Sequence, residues 1–306
     1  MQKVALIFGG IGAESAVSKV TAEAFAKALK DLGEEFETIE ANEELPHRLV
    51  QLKPKLALLA VHGKYAEDGT IQGICEYLKI PYTGSGLLAS ALAMDKAFCK
   101  NLFEKHNLPT AKYQLLNLKE QSFQKFNLEL SYPLVVKPSR EGSSVGVSIV
   151  NDQKELDEAV RLAAMYDHYI IIEKFIKGKE VTIPVLSGKV LDSVEIAPKM
   201  GFYNYENKYQ QGRTNYILPA NVEKKTLEKL QEITLKVCHL LRVRSYARID
   251  FMLDQNENPY IMEVNTLPGC TPTSLVPKAA AHAGIEFKDF IKQIMEEATT
   301  DYEGLK

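Results

Sequence analysis

Nowhere along its 306 residues does the sequence hold an apolar run near the ~20 residues that a membrane-spanning helix needs. The apolar stretch of residues 1–8 is too short for a signal-peptide core and runs straight into Gly9-Gly10, so the chain is expected to start and stay in the cytoplasm. Cysteine is sparse. Cys75, Cys99, Cys238 and Cys270 are scattered, with no CxxC pair and no Cys/His spacing suited to a metal, as expected of reduced cytosolic thiols. Nor is there an excess of charge of one sign. A net charge of -3 gives no global attraction to nucleic acid or to an anionic membrane, so neither partner is expected. Any anionic ligand must be held by a local cluster of cations. A GxxxxGK[ST] string is missing too, which excludes a P-loop nucleotide hydrolase. Gly10-Ile-Gly12-Ala-Glu-Ser15 matches GxGxxG only in part, with serine in the third place, and on that feature alone a nicotinamide-dependent dehydrogenase stays open. Repeats and low-complexity tracts are absent.

What is present is an ordinary globular composition, 45% apolar and 25% charged, in a chain long enough for two or three domains. The first ninety residues alternate between strand and helix signals. Val4 to Phe8 is a short apolar run ending in glycines, Ser15 to Leu32 reads as a helix closed by Gly33, and Phe36–Glu40 and Leu56–Val61 are further strands. This predicts a small α/β domain, residues 1–93, with a largely parallel sheet. From Met94 the pattern becomes α+β. A helix at 95–105, strands at 133–137 and 146–150, a helix at 153–165 and a strand at 169–173 make a second unit, residues 94–179. A third, residues 180–306, carries strands, a long helix at 222–241, a hairpin and two short helices.

The hairpin makes the strongest case for chemistry. Ala247 to Leu253 and Tyr260 to Asn265 alternate polar and apolar residues around a turn of Asp254-Gln-Asn-Glu-Asn-Pro259. Opposing Leu253 to Tyr260 sets Phe251 against Met262 and Ile249 against Val264 on one apolar face. The other face then pairs Asp250 with Glu263 and Arg248 with Asn265. Opposed side chains lie roughly 4.5–5.5 Å apart at Cβ. Two carboxylates that close repel unless a proton or a cation bridges them. Asp250, Glu263 and Asn265 together offer hard oxygen donors suited to Mg²⁺, with two ions sharing Glu263. The same acids would also suit a solvated surface with Arg248 as their partner.

Mg²⁺ held by a few acids implies phosphates for its remaining ligands. Lys137 ends an apolar strand, a costly place for an ammonium unless an anion meets it. The following Gly142-Ser-Ser-Val-Gly146 suits a flap whose N–H groups and hydroxyls close over phosphates, though such a loop also serves as a plain turn. Lys96 and Lys208 read by themselves as solvated lysines, His62 as either a structural or a site histidine, and Glu14 as an acid favoured at a helix N-terminus.

Taken together, several segments resemble the D-alanine–D-alanine ligases of the ATP-grasp superfamily. They are Phe8-Gly-Gly with Ala13-Glu14, His62-Gly63, Glu67-Asp-Gly-Thr70, Tyr82-Thr-Gly-Ser-Gly86, Met94-Asp-Lys96, Val136-Lys-Pro-Ser-Arg-Glu-Gly-Ser-Ser-Val-Gly146, Asn207-Lys-Tyr209, Ala247-Arg-Ile-Asp250, Met262-Glu-Val-Asn-Thr-Leu-Pro-Gly269 and Ser274-Leu-Val-Pro277. They run end to end in the family's order. The resemblance implies an ATP-grasp fold behind an N-terminal parallel-sheet domain, and joining of two D-alanines through an acyl phosphate for peptidoglycan precursors. It implies ATP with two Mg²⁺, Mn²⁺ substituting, and a homodimer. By the same resemblance Lys96, Lys137 and Lys208 contact phosphates beneath Ser143 and Ser144; Glu173, Lys174 and Ile176 line the adenine; Glu180 takes the ribose. Asp250, Glu263 and Asn265 match the family's metal ligands. Glu14 and His62 meet the first D-alanine, and Arg248, Gly269, Ser274 and Leu275 hold the second and its oxyanion. A lid over residues 201–216 carries Lys208 and Tyr209, and the Lys-Tyr pair argues for D-alanine over a D-lactate-type second substrate. A D-alanyl-D-serine or D-alanyl-D-lactate ligase and a non-catalytic nucleotide-binding protein remain alternatives. Ser15 departs from the basic residue common in the family.

Overall fold

The structure is a computed structural model, and it describes residues 2–10, 15–199 and 212–302. Glu14, Lys208 and Tyr209 therefore lie outside the described residues, as does most of the expected lid.

The N-terminal strands β1 (Val4–Gly9), β2 (Phe36–Glu40) and β3 (Leu56–Val61) form a parallel sheet in the order β2-β1-β3. Every residue of β3 is buried, as a strand covered on both faces requires. Helices α1 (Ser15–Asp31), α2 (Leu45–Leu52), α3 (Thr70–Leu78) and α4 (Leu87–Met94) accompany it. Its core is shared: Tyr246, Leu267, Val276 and Phe290 from the far end of the chain pack into the same apolar cluster as Leu6 and Phe25.

The second sheet is antiparallel, β4 (Tyr113–Asn117), β7 (Tyr169–Lys174), β5 (Leu134–Pro138) and β6 (Ser148–Val150) in that spatial order, with α5 (Lys96–Lys105) and α6 (Gln153–Ala164). Asp95 caps α5 by accepting from the N–H groups of Ala97 at 3.1 Å and Phe98 at 3.2 Å. The third sheet runs β11 (Thr214–Ile217), β10 (Val194–Pro198), β8 (Lys179–Leu186), β12 (Tyr246–Leu253), β13 (Pro259–Asn265), with β9 (Lys189–Val190) on β8. Helices α7 (Lys224–Leu241), α8 (Leu275–His282) and α9 (Phe287–Glu296) complete it. The parallel and antiparallel sheets match the predicted α/β and α+β character.

Two expectations need correction. Residues 214–216, assigned to the lid, belong to strand β11, whose Tyr216 pairs with Ile196. The hairpin register holds only at its site end. Arg248–Asn265, Ile249–Val264 and Asp250–Glu263 pair as expected, but a bulge then sets Phe251 against Ile261, Met252 against Tyr260 and Leu253 against Pro259. Burial explains the shift. Pro259, Ile261 and Val264 are the buried residues of β13, and a spacing of two and then three requires one extra residue, Met262, on the site side.

Candidate active site

The hairpin end places its acids as a group. Asp250 is 3% exposed and accepts from Thr182 Oγ1 at 2.5 Å and from Arg248 Nε, 3.1 Å from each carboxylate oxygen. Asn265 Nδ2 reaches Asp250 Oδ2 at 3.1 Å and Glu263 Oε1 at 3.4 Å, so the amide sits between the two carboxylates. Lys96 Nζ stands 3.6 Å from Glu263 Oε2, and Arg248 Nη2 3.9 Å from Glu263 Oε1. Two anions thus face two cations around a shared amide. Turning the Asn265 amide over would present its oxygen instead, giving three hard oxygen donors fit for a divalent cation. Among the described residues no group of three or more His, Cys, Asp and Glu side chains gathers in this way.

Two cavities adjoin this group. The larger, about 500 Å³, brings together His62, Ser143, Arg248, Glu263, Asn265, Gly269, Ser274 and Leu275 from among the expected site residues. The smaller, about 140 Å³, brings together Lys96, Lys137, Ser144, Glu173, Lys174, Ile176, Glu180 and again Glu263. Asp250 lines neither and lies buried beside them. The flap divides the two spaces between neighbouring residues: Ser143 faces one and Ser144 the other. Both serines hold left-handed backbone, φ 50° and 59°, and Gly146 follows at φ 70°, where a Cβ would come within 2.9 Å of Pro138.

The flap is tied at its base. Arg140 grips Asp167 through its backbone N–H and Nε at 3.0 Å and Nη2 at 2.5 Å. Lys96 Nζ donates to Glu141 O at 2.7 Å, so one lysine touches both the flap backbone and the acidic hairpin. In the smaller cavity Lys137 meets Glu173 at 2.6 Å, and from behind the wall Lys100 meets the other oxygen of Glu173 at 2.7 Å. Burial pushes the Glu173 carboxyl up, but the two ammoniums outweigh it and hold it at about 2. In the larger cavity His62 lies between Thr21 Oγ1, 2.8 Å from Nε2, and Leu267 O, 3.1 Å from Nδ1, with Glu67 at 3.4 Å. Ser274 Oγ accepts from the Thr271 N–H at 3.0 Å, which shapes the loop beside Gly269.

Several residues in or beside the cavities escape a reading of the sequence. Ala16, Val17, Val20 and Thr21 present one face of α1 to the larger cavity, a helical spacing that reads equally as core. Glu67 sits inside the quoted Glu-Asp-Gly-Thr string, yet nothing local marks it as reaching His62. Lys100 lies four residues beyond Lys96, one turn along the same helix.

A family model described as D-ala D-ala ligase C-terminus matches residues 102–296, and one described as D-ala D-ala ligase N-terminus matches residues 33–85. A D-alanine–D-alanine ligase of Syntrophotalea carbinolica is 41% identical over 299 residues, 97% of this chain and 96% of that protein. The crystal structure of the Bacillus anthracis D-alanine–D-alanine ligase complexed with ATP superposes with a TM-score of 0.85 at 33% identity, covering 97% of both chains. VanG D-Ala:D-Ser ligase from Enterococcus faecalis superposes with a TM-score of 0.81 at 28% identity, covering 96% of this chain and 98% of that one.

Proposed function

Because the chain belongs to the D-alanine–D-alanine ligase family, we propose that it joins two D-alanines at the expense of ATP, with the nucleotide in the smaller cavity and both amino acids in the larger. The observation that carries this reading is the shared wall. Glu263 lines both cavities, and consecutive flap serines face one each, so a phosphate at the end of one space adjoins a carboxylate in the other.

The residues divide the work. Lys96 and Lys137 hold phosphates, Ser144 closes over them, and Lys174, Ile176 and Glu180 surround the base and ribose. His62 and Ser143 orient the first D-alanine, whose carboxylate attacks the γ-phosphate to give an acyl phosphate and ADP. Preorganised cations spread the charge of that transfer. The amine of the second D-alanine, held by Ser274 and Leu275, then attacks the acyl carbon and releases phosphate. Arg248 and the Gly269 N–H receive the oxyanion, an effect typically worth about 3 kcal/mol per donor. Asp250, Glu263 and Asn265 are the donors for Mg²⁺, which when bound supplies neutralising charge to the phosphates. Glu14, Lys208 and Tyr209 keep the roles the family resemblance implies. We place the domain limits after residues 93 and 179, the site of action in the cytoplasm and the assembly as a homodimer. D-alanine is the second substrate: on structural superposition the identity of 33% to the Bacillus anthracis D-alanine–D-alanine ligase exceeds the 28% to the D-Ala:D-Ser enzyme.

The test is product analysis. ADP, phosphate and D-alanyl-D-alanine form together only when D-alanine is supplied. Release of AMP and pyrophosphate, or a faster reaction with D-serine or D-lactate, overturns the reading.

A further inference from the structure

Behind the nucleotide cavity sits a charged group that the chemistry above leaves unused. Lys100 on α5 is 1% exposed and lines neither cavity. Its ammonium donates to Thr110 Oγ1 at 2.7 Å and Ala111 O at 3.3 Å, stands 2.7 Å from Glu173 Oε2, and lies 5.0 Å above the Tyr113 ring. Thr110 in turn donates to Ile261 O at 3.2 Å, which fixes this corner to β13. Lys137, by contrast, has one partner among the described residues: it meets Glu173 Oε1 at 2.6 Å. One buried carboxylate therefore serves two ammoniums, of which one is tied in three directions and the other in one.

This asymmetry matters when a phosphate arrives. A buried carboxylate deserted by its only cation is strongly disfavoured. If Glu173 depended on Lys137 alone, the lysine could not turn to a phosphate without stranding it. With Lys100 in place, Glu173 keeps a counter-ion whatever Lys137 does. Burial lowers the pKa of Lys100 and the ion pair with Glu173 opposes that, as expected of an ammonium held in a dry site by its anion.

We propose that Lys100 is a positioning residue for nucleotide binding, which neutralises and fixes Glu173 so that the Lys137 ammonium can leave it for an ATP phosphate. The proposal rests on the nucleotide reading of the smaller cavity. Lys100 touches neither substrate and acts only through Glu173.

Three proteins test it: the full chain, Lys100→Met and Lys100→Arg. In Lys100→Met the KM for ATP rises tenfold or more while both D-alanine KM values stay within about twofold, because Lys137 is now bound to its post. Lys100→Arg keeps a cation beside Glu173 and holds the ATP KM within about threefold of wild type. A merely structural lysine would lower the melting temperature and affect both substrates alike, with the arginine variant no better than the methionine one; that result overturns the proposal. Should Lys100→Met fail to fold, Lys100→Arg decides alone. Folding with a near-wild-type ATP KM supports the proposal, and failure to fold or a tenfold rise overturns it. Failure of the ligase reading is separate, since it would show in the unmodified chain as no turnover of ATP with D-alanine.

Discussion

Replacing Glu263 by glutamine separates catalysis from stability at this site. The side chain stands 3.6 Å from Lys96 and 3.9 Å from Arg248, and opposes Asp250 across the hairpin. At an effective dielectric of about 20, each of the two cation contacts near 4 Å involves about 4 kcal/mol of Coulomb attraction, and the facing Asp250 opposes them. Glu263 is 23% exposed, so its charge also carries a desolvation cost that goes with it, while Lys96 keeps the Glu141 carbonyl and Arg248 keeps Asp250 as partners. Losing two attractions and one repulsion therefore leaves stability within about 1 kcal/mol of wild type, read as the urea midpoint. Activity responds differently. The substitution removes an anionic donor from the wall between the cavities, and loss of one such electrostatic group costs about 3–4 kcal/mol, or a hundred- to a thousandfold in rate. The assay is phosphate release at saturating ATP and D-alanine over a Mg²⁺ titration, with the Mg²⁺ requirement moving upward. A folded variant keeping more than about a tenth of the wild-type rate, under ~1.4 kcal/mol of barrier, refutes the metal role of Glu263.

Ser143→Ala raises the KM for D-alanine and Ser144→Ala that for ATP, each by roughly three- to tenfold as expected for one lost hydrogen bond, and each sparing the other substrate; steady-state kinetics that show the opposite pairing would exclude the division of the cavities by the flap. Arg244→Ala destabilises the fold by about 2 kcal/mol in urea denaturation, because Arg244 joins Gly84 O at 3.1 Å, Asp301 at 2.8 Å and Thr299 O at 3.1 Å. Glu173 titrates at about 2 in the fold against its usual 4.5, so its contribution is complete above pH 4.5 and is lost as pH falls toward 2. Urea midpoints should therefore drop steadily over that window, and a flat profile would contradict the buried triad.

Much of this was legible in advance where local chemistry decides the outcome. The all-apolar run of β3 and the alternation of β12 each specify their own structure, and the Asp250–Glu263 pairing followed from matching faces. The bulge did not follow. Tyr260 and Met262 are as apolar as Pro259 and Ile261, so the pattern alone prefers an unbroken ladder, and only packing against Leu253 and Phe251 selects the other pair. Lys100 was invisible for a related reason. Its partners Thr110 and Glu173 lie 10 and 73 positions away, and no spacing rule on a helix brings them to mind. Pairings made by tertiary packing leave no periodic trace.

The bulge at Met262 also sets how this hairpin can change length. The residue is counted by no partner on β12, and it borders the smaller cavity with Met252, Tyr260 and Ile261. Loss of its single codon would close the ladder into a regular one, keeping Phe251 beside Ile261 and Asp250 beside Glu263. A deletion of Glu263 or Val264 would instead displace the acid or its apolar neighbour from the register. At Met262 a deletion leaves both the apolar face and the paired acids in place, and a change there would be felt by the wall of the smaller cavity.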